Sequence, residues 1–199
     1  MSHPLLKAAA FILFMSVNIA HASTDPGTYI GFDINSALIG EANTDNSSGE
    51  DLSGNLGVSA ASLSLGYRFE SNNRIQISTS KMSLEHENGT DSDVSGYDLD
   101  WHIAYGEDAV QPYWGFGFGL YNMDDSSGYF VNDNDLQGNS FQVLAGMKFD
   151  LNKYLELDLS YRIKTIAWQE MLFFDGNQVV SVHMTHTYSS LNMGAAVKF

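Results

Sequence analysis

The chain of 199 residues contains no cysteine, which excludes disulfides, thiol catalysis and cysteine-bound metals. Cations are scarce as well. The 9 Lys and Arg are set against 24 Asp and Glu, and a net charge of −15 argues against nucleic acid as a partner. Proline occurs 3 times, and only Pro112 lies beyond the first few residues of the mature chain. This scarcity, together with 18 glycines and 13% aromatic residues, indicates many strands joined by tight turns.

Long apolar runs are absent except at the N-terminus. Residues 8–20 form an apolar stretch that follows the cation Lys7 and precedes Ala20-His21-Ala22, which has small residues at both positions of an A-x-A cleavage site. A transmembrane anchor is the alternative, but it needs about 20 apolar residues and this run is shorter. We predict a secretory signal peptide at residues 1–22 and a single mature domain at residues 23–199.

Eight segments of the mature chain alternate apolar with polar residues, which is the periodicity of a β-strand. They cover residues 30–35, 62–69, 75–79, 97–105, 114–120, 141–149, 155–163 and 191–199. In the third segment the apolar positions change phase at Met82 and Leu84, which predicts either a bulge or a strand that has left the membrane. No helical period competes, and Gly115, Gly117 and Gly119 would each weaken a helix by about 1 kcal/mol relative to alanine.

The connections between these segments alternate in length. Three are short, at residues 71–73, 106–111 and 150–153, and the other four are long and polar or irregular. Outer-membrane barrels have short periplasmic turns, long external loops and an even number of strands. The pattern therefore predicts an all-β fold, an eight-stranded antiparallel up-and-down transmembrane β-barrel with both termini in the periplasm.

A soluble β-sandwich or lipocalin-like barrel would show the same alternation, with the apolar residues facing a core. It would have to place residues such as Trp101, Trp114 and Phe118 inside a lumen that is only wide enough for packed side chains. Aromatic residues at the predicted periplasmic ends would instead form an interfacial girdle. These are Phe69, Tyr105, Trp114, Phe149 and Phe199. The signal segment, the loop asymmetry and the girdle favour the membrane.

The motifs YIGFDI, PYWGFGFGLY and SLNMGAAVKF, within residues 27–199, resemble the small eight-stranded outer-membrane barrels, the OmpA/OmpX-like and opacity-protein-like group. The resemblance implies location in the bacterial outer membrane after export through the periplasm. It also implies that the barrel-assembly machinery reads the last strand. The residues of that assembly signal would be Leu191, Met193, Ala195, Val197 and Phe199.

By parity, several charged residues face the lumen. The predicted lumenal charge network consists of Arg68, Asp98, Asp100, Lys148, Glu156, Asp158 and Arg162, and the same parity places Asp33, Lys164 and Lys198 inside. Unpaired charges in a dry interior are costly, so these groups should pair as a structural core. A narrow ion path is the alternative, and it would need a wider or flexible lumen.

Acidic residues concentrate in the long connections, at residues 41–55, 85–95 and 122–138 and in the fourth connection with Glu170 and Asp175. A solvated surface explains them, and divalent-cation binding is the functional alternative, since oxygen ligands suit Ca²⁺ or Mg²⁺. Asp133 and Asp135 resemble the start of an EF-hand loop, but the required glycine and late glutamate are missing. We predict no cofactor and no metal site.

The last hairpin is long. Each arm runs to about 20 residues, which at ~3.4 Å per residue greatly exceeds an apolar band of ~25 Å. It should project above the membrane and expose a candidate binding surface for strand addition or hydrophobic contact. The residues of this surface are Trp168, Leu172, Phe173 and Phe174. Alternatively, they cap the barrel mouth or touch lipid.

Lipid A deacylases among the small outer-membrane barrels use a His-x-Ser pair with a later acid. Here His183 is followed by Thr185, His186 is followed by Tyr188, and no acid follows residue 178, so we predict no catalytic residues. His102 is expected to be a buried core histidine. The expected role is a non-catalytic surface protein that supports envelope integrity or adhesion. Its partners would be outer-membrane lipid, lipopolysaccharide and possible host or surface proteins. A lipid A-modifying enzyme and a small low-conductance pore are the alternatives.

Overall fold

The computed structural model describes residues 26–47, 49, 51–87, 89, 91–106, 109–124, 136–174 and 179–199. Every regular element in these ranges is a β-strand, and none of them contains a helix long and apolar enough to cross a membrane. The predicted signal peptide at residues 1–22 lies outside the described residues.

Nine antiparallel strands form one sheet. Their bounds are β1 (Gly27–Asn46), β2 (Asp51–Arg68), β3 (Arg74–His86), β4 (Asp91–Ala104), β5 (Val110–Met123), β6 (Leu136–Asp150), β7 (Leu155–Trp168), β8 (Met171–Phe174) and β9 (Val179–Lys198). Neighbours in sequence pair from β1 to β7, β7 then pairs with β9, and β9 pairs with β1.

The pairing of β1 with β9 closes the sheet, from Tyr29 opposite Lys198 to Asn46 opposite Val182. Closure satisfies the strand edges, which a bilayer requires because it offers no water to exposed backbone groups. The short β8 pairs only with β9 among the described strands, and it continues the arm of β7 after an interruption at residues 169–170. The predicted eight-stranded barrel is confirmed, with β7 and β8 forming one interrupted arm.

The outer surface of the barrel is apolar over the part of the strands nearer the short turns, which we call the lower part. Large side chains are more than half exposed there, including Phe32, Leu63, Leu99, Phe118 and Met193. A continuous apolar surface of this kind would be unfavourable in water, and hydrocarbon is the solvent that fits it. The predicted outward face is confirmed, and the apolar residues do not fill the lumen.

The phase change in β3 is not a bulge. The pairing of β3 with β2 and with β4 proceeds without a register shift, so Met82 and Leu84 stay on the inward face. What changes along β3 is the polarity of its two faces. At the level where Met82 and Leu84 face inward, the outward face carries the charged residues Lys81 and Glu85. The interpretation as a bulge was therefore wrong, and departure from the membrane accounts for the pattern.

Above this level the barrel has the polarity of a soluble protein. An external cap of inward apolar and aromatic side chains fills its interior: Leu56, Val58, Met82, Leu84, Val94, Tyr121, Met123, Leu136, Ile166, Trp168 and Tyr188. Outside the bilayer the outer face meets water, so the free energy falls when apolar side chains turn inward. Within the bilayer the preference is reversed, and the interior is polar.

Two of the predicted long loops are mostly strand. Residues 41–46 and 51–55 are paired, as are residues 85–86 and 91–93, so only tight turns remain. In each turn a glycine has positive φ, +89° at Gly49 and +79° at Gly89, and its amide donates to the carbonyl of Asn46 (3.1 Å) or His86 (2.9 Å). Polar residues on both faces hide the strand alternation in the sequence, which is why these loops were predicted too long.

The aromatic girdle lies at the end of the barrel that carries the short turns. Tyr105, Trp114 and Phe199 are exposed there, while Phe69 and Phe149 are half-buried. The indole N–H of Trp114 donates to the Tyr105 hydroxyl at 2.9 Å. This is the interfacial arrangement expected of rings with an apolar body and a polar tip.

Candidate functional site: barrel interior, external cap and projecting sheet

All seven residues of the predicted charge network face the barrel interior, and six of them are buried. Asp158 is half-buried. The network divides into a lower cluster near the short turns and a middle cluster beneath the external cap. Both clusters also contain residues that were not in the predicted set.

The lower cluster centres on Glu156. Its two carboxylate oxygens accept hydrogen bonds from the Arg74 guanidinium at 2.5 and 2.7 Å. The Lys148 ammonium lies 2.7 Å from a carboxylate oxygen of Asp158 and 3.8 Å from Glu156. A bidentate buried pair of this kind is the strongest ion-pair geometry available to a carboxylate.

A second carboxylate completes the lower cluster. Asp150 pairs with the Lys198 ammonium and lies 3.5 Å from the Arg68 guanidinium. The ion pair with Lys198 joins the end of β6 to the end of β9, two strands that are not neighbours in the sheet. The contacts of Arg68 on β2 with Asp150 on β6, and of Arg74 on β3 with Glu156 on β7, link opposite walls of the barrel across its interior.

The middle cluster centres on Asp98. The Lys164 ammonium donates to both of its oxygens, at 3.0 and 2.8 Å, and the Tyr121 hydroxyl also donates to it. Asp100 accepts a hydrogen bond from the Gln142 amide. Charges on β4 and β7 thus meet across the lumen, and the ion pairs offset the cost of burying them.

The alternate glycines on β5 leave space for the carboxylates of Asp98 and Asp100. In the pairing with β4, Gly117 lies opposite Asp100 and Gly119 lies opposite Asp98. A Cβ at Gly117 would overlap the Asp100 carboxylate, and one at Gly119 would contact the Ser140 hydroxyl at 2.6 Å. The WGFGFGLY motif therefore combines a lipid-facing aromatic row with space for the carboxylates inside.

Sequence reasoning missed Arg74 and Asp150. The sequence pattern puts Asp150 in a short connection and leaves Arg74 between a connection and a strand. The structure places both inside as paired members of the lower cluster. The strand alternation does indicate the position of Arg74. Because Ile75 and Ile77 face outward, Arg74, which directly precedes Ile75, must face inward.

Trp168 belongs to the external cap and not to an exposed surface. Only 5% of it is accessible, and its indole N–H donates to Nδ1 of His186 at 3.1 Å. The predicted exposure of Trp168 was wrong because β7 ends there, still facing the interior above the bilayer. The alternative, in which the residue caps the barrel mouth, describes its position.

Two histidines meet in the cap. The rings of His86 and His186 lie 5.8 Å apart, and that of His186 is 5.7 Å from the indole of Trp168. Burial, together with a smaller effect of the nearby His86, lowers the pKa of His186 to about 4. Burial also lowers the pKa of His86, against the opposing effect of Asp91. Both groups are held neutral at physiological pH.

The longest hairpins continue beyond the cap as a projecting sheet, which we define as residues 41–46 of β1, 51–55 of β2, β8, and 179–185 of β9. The turn of the first hairpin is tied to the last, with the Ser47 amide donating to the Ser181 carbonyl at 3.0 Å and the Ser181 amide donating to the Ser47 hydroxyl at 3.1 Å. The projecting sheet is therefore one paired structure and not two independent loops.

The projecting sheet exposes apolar and acidic side chains together. Leu172 is 67% exposed and Val179 is 63% exposed, which places Leu172 at the surface as predicted. Phe173 and Phe174 lie in β8, and their side chains fall outside the described residues. Glu41 and Asp45 are exposed on the neighbouring strand β1.

Two histidines of the hairpins lie beside polar side chains. Nε2 of His86 lies 3.3 Å from the Ser92 hydroxyl, a pairing of base and nucleophile across the β3–β4 hairpin. His183 lies 3.5 Å from Glu170 in an exposed pair. Within the described ranges no carboxylate hydrogen-bonds to His86 to orient it, so this pair lacks the third member of a triad. His102 is buried against Tyr113 inside the lumen, as expected of a core histidine.

The acidic residues in the described parts of the hairpins do not converge. In the part of the chain that the structure describes, no group of three or more His, Asp or Glu is arranged to hold a metal ion. The predicted loop acids Asp125, Asp133, Asp135 and Asp175 lie outside the described residues, as does Glu50.

The last strand presents its alternate residues to lipid. Leu191, Met193, Val197 and Phe199 are exposed on the outer face, and Ala195 is half-buried there. Phe199 is joined to the first strand through its amide, which donates to the Thr28 carbonyl at 3.0 Å. The role of these residues as an assembly signal stays a prediction.

A closed barrel with an apolar outer band and an interior of paired charges defines a transmembrane β-barrel protein of the bacterial outer membrane. Residues 8–199 match the profile of the outer membrane protein β-barrel domain, and the chain belongs to this family. No curated protein matches the chain in sequence.

Solved structures similar to this chain are small outer-membrane barrels. Neisserial surface protein A aligns at 19% identity over 88% of this chain and 99% of that one, with a TM-score of 0.51. The N-terminal barrel of Pseudomonas aeruginosa OprF aligns at 11% identity over 85% and 97%, with a TM-score of 0.45. The outer membrane enzyme PagL aligns at 15% identity over 81% and 97%, with a TM-score of 0.43. At these identities the likeness shows the fold alone.

Proposed function

We propose that this outer-membrane barrel is a non-catalytic surface protein, in which a filled barrel anchors a projecting sheet that contacts molecules outside the cell. One observation carries the proposal. The described interior is occupied by paired charges below and by the external cap above, whereas paired strands continue well past the apolar band. The paired strands beyond the apolar band are therefore the part of the protein that is available for contacts outside the cell.

The chemistry of the projecting sheet supports this role. Leu172 and Val179 offer exposed apolar contact area, and the exposed carboxylate of Asp45 lies across β9, opposite His183. A partner surface that combines apolar and basic groups would complement it, since complementary charge steers association and apolar burial holds the complex. The β8 strand, which pairs on one side only among the described strands, also provides an edge for strand addition.

The experiment compares adhesion by bacterial cells that display the protein or its variants in the outer membrane. The double substitution Leu172→Ser and Val179→Ser should reduce binding to host cells and to matrix-coated surfaces several-fold. Tyr154→Ser is the matched control, because Tyr154 is 58% exposed at a short turn on the periplasmic end. Unchanged adhesion in the double variant, at equal surface levels, would refute the proposed role of the sheet.

A lipid A-modifying hydrolase is the second candidate, and the pairing of His86 with Ser92 is the observation that favours it. The missing carboxylate and the position of His86 against the buried His186 count against it. A pore has no comparable support, because its path would have to pass both the cap and the charge clusters.

A further inference from the structure

The positive charges of this chain are distributed very unevenly. Lys7 lies outside the described residues, and Lys153 lies in the β6–β7 turn. Six others are buried in the interior: Arg68, Arg74, Lys148, Arg162, Lys164 and Lys198. This leaves Lys81 as the single Lys or Arg on the outer face of the described barrel, and it forms no ion pair there.

Lys81 stands at the external edge of the apolar band. Its row across the sheet runs through Ala61 and Ile34 to Met193, and the next outward residues on β3 are Thr79 below and Ser83 above. The short turns, the start of β1 and the end of β9 lie at the opposite end of the barrel, which is the periplasmic end in this class. The Lys81 ammonium therefore lies where the acyl chains of the outer leaflet meet their headgroups.

A groove of about 700 Å³ runs along the outer face beside this lysine. Ile34, Ala61 and Met193 line it in the Lys81 row. Ser36, Ser59 and Leu191 line it one step farther from the bilayer. At its upper end the pairing of β1 with β2 is irregular between Ser36 and Glu41. The result is an apolar furrow, with a cation at its rim, on a surface that faces lipid.

We propose that this groove binds one lipopolysaccharide molecule of the outer leaflet, with an acyl chain in the furrow and a lipid A phosphate at the Lys81 ammonium. An ammonium at a partly dehydrated interface pairs strongly with phosphate, and an acyl chain would pack against Ile34, Ala61 and Met193 in the Lys81 row. Asp93 also borders the groove, but it lies opposite Ser83 and hence farther from the bilayer than Lys81. The inference rests on the outer-membrane location and is independent of any partner of the projecting sheet.

The test uses the full mature protein refolded in detergent micelles, with lipid binding followed by native mass spectrometry. The probes are bisphosphorylated lipid A, dephosphorylated lipid A and phosphatidylglycerol. We expect bisphosphorylated lipid A to bind the wild type best, and Lys81→Gln to weaken it about tenfold. Ala61→Leu, which narrows the groove in the Lys81 row, should weaken binding of both forms of lipid A. Lys153→Gln is the matched control and should change nothing.

Three outcomes would overturn the proposal. They are equal affinity for the two forms of lipid A, equal affinity for phosphatidylglycerol, or no effect of Lys81→Gln in a barrel that migrates as folded. Asp93→Asn gives an independent check, because removal of the neighbouring negative charge should strengthen binding of the phosphorylated form. A loss of adhesion without a loss of lipid binding, or the reverse, would separate this site from the projecting sheet.

Discussion

The indole N–H of Trp168 donates to Nδ1 of His186 at 3.1 Å, which requires that nitrogen to be unprotonated. The folded state lowers the pKa of His186 from 6.5 to about 4, so the unfolded or opened cap binds a proton more readily. Stability from this contact is present above pH 6.5 and is lost as the pH falls towards 4. The loss is on the order of 3 kcal/mol at most.

We therefore expect acid to open the external cap before it unfolds the barrel. The measurement is the emission of Trp168 as the single tryptophan, after Trp101→Phe and Trp114→Phe, between pH 7.5 and pH 4. The emission should shift to longer wavelength as water reaches the indole. His186→Gln keeps a hydrogen-bond acceptor but removes the titration, so its spectrum should be independent of pH in this range. A shift of equal size in His186→Gln would show that another group is responsible.

Glu156→Gln should strongly destabilise the barrel, because it leaves the buried Arg74 without its carboxylate. Removal of one partner of a buried ion pair typically costs about 3–5 kcal/mol. The urea dependence of the folded band in cold gel electrophoresis measures the change. Arg74→Gln combined with Glu156→Gln should recover part of the loss, and Glu41→Gln at an exposed site should have little effect. If the single and double variants were equally unstable, the pairing would not explain the cost.

Gly117→Ala should disrupt folding although it adds one carbon. Its Cβ would overlap the Asp100 carboxylate and lie 3.0 Å from the Gln142 amide nitrogen, inside a filled lumen. Overpacking of this kind costs about 1–3 kcal/mol. The matched control is Gly54→Ala in the projecting sheet, where the nearest atom to a new Cβ is a Glu87 oxygen at 3.7 Å. Refolding yields in detergent should fall for Gly117→Ala and not for Gly54→Ala.

The fold was predictable because one face of every strand must meet hydrocarbon. That requirement imposes an alternation with period two, and the outward row of Leu99 and Trp101 on β4 shows it directly. The same alternation assigned the buried charges, such as Asp98 and Lys148, to the interior. It could not show which of them pair, since the partners come from strands that are distant in sequence.

The site above the membrane was harder to predict, because the rule reverses there. Met82 and Trp168 were apolar residues out of phase with the lipid-facing set, and each was read as an irregularity or as an exposed surface. In water an apolar side chain turns inward, so the phase change marked the bilayer boundary. A sequence reading that allows the two faces to exchange polarity along a strand would have found the external cap.

Steady ion conduction is not expected from this barrel. Lys164 and Asp98 join opposite walls at mid-depth, and Leu84 and Ile166 are fully buried in the cap above them. Planar-bilayer recordings on the refolded protein should therefore show no stepwise current, even for Lys164→Ala, because the cap still closes the path. Reproducible current steps that disappear when Leu84→Arg adds charge to the cap would contradict this account of the interior.

The pairing of His86 with Ser92 provides the sharpest test of the non-catalytic proposal. The base lies 3.3 Å from the hydroxyl, but its pKa is lowered by burial, and the described residues supply no carboxylate to hold the ring. The Ser92 hydroxyl would therefore be only weakly activated as a nucleophile. We expect the lipid A mass spectrum of bacteria that produce the protein to match that of cells producing Ser92→Ala. A loss of acyl chains that depends on both Ser92 and His86 would make this protein an enzyme, because a purely structural hydrogen bond cannot alter the covalent state of the lipid.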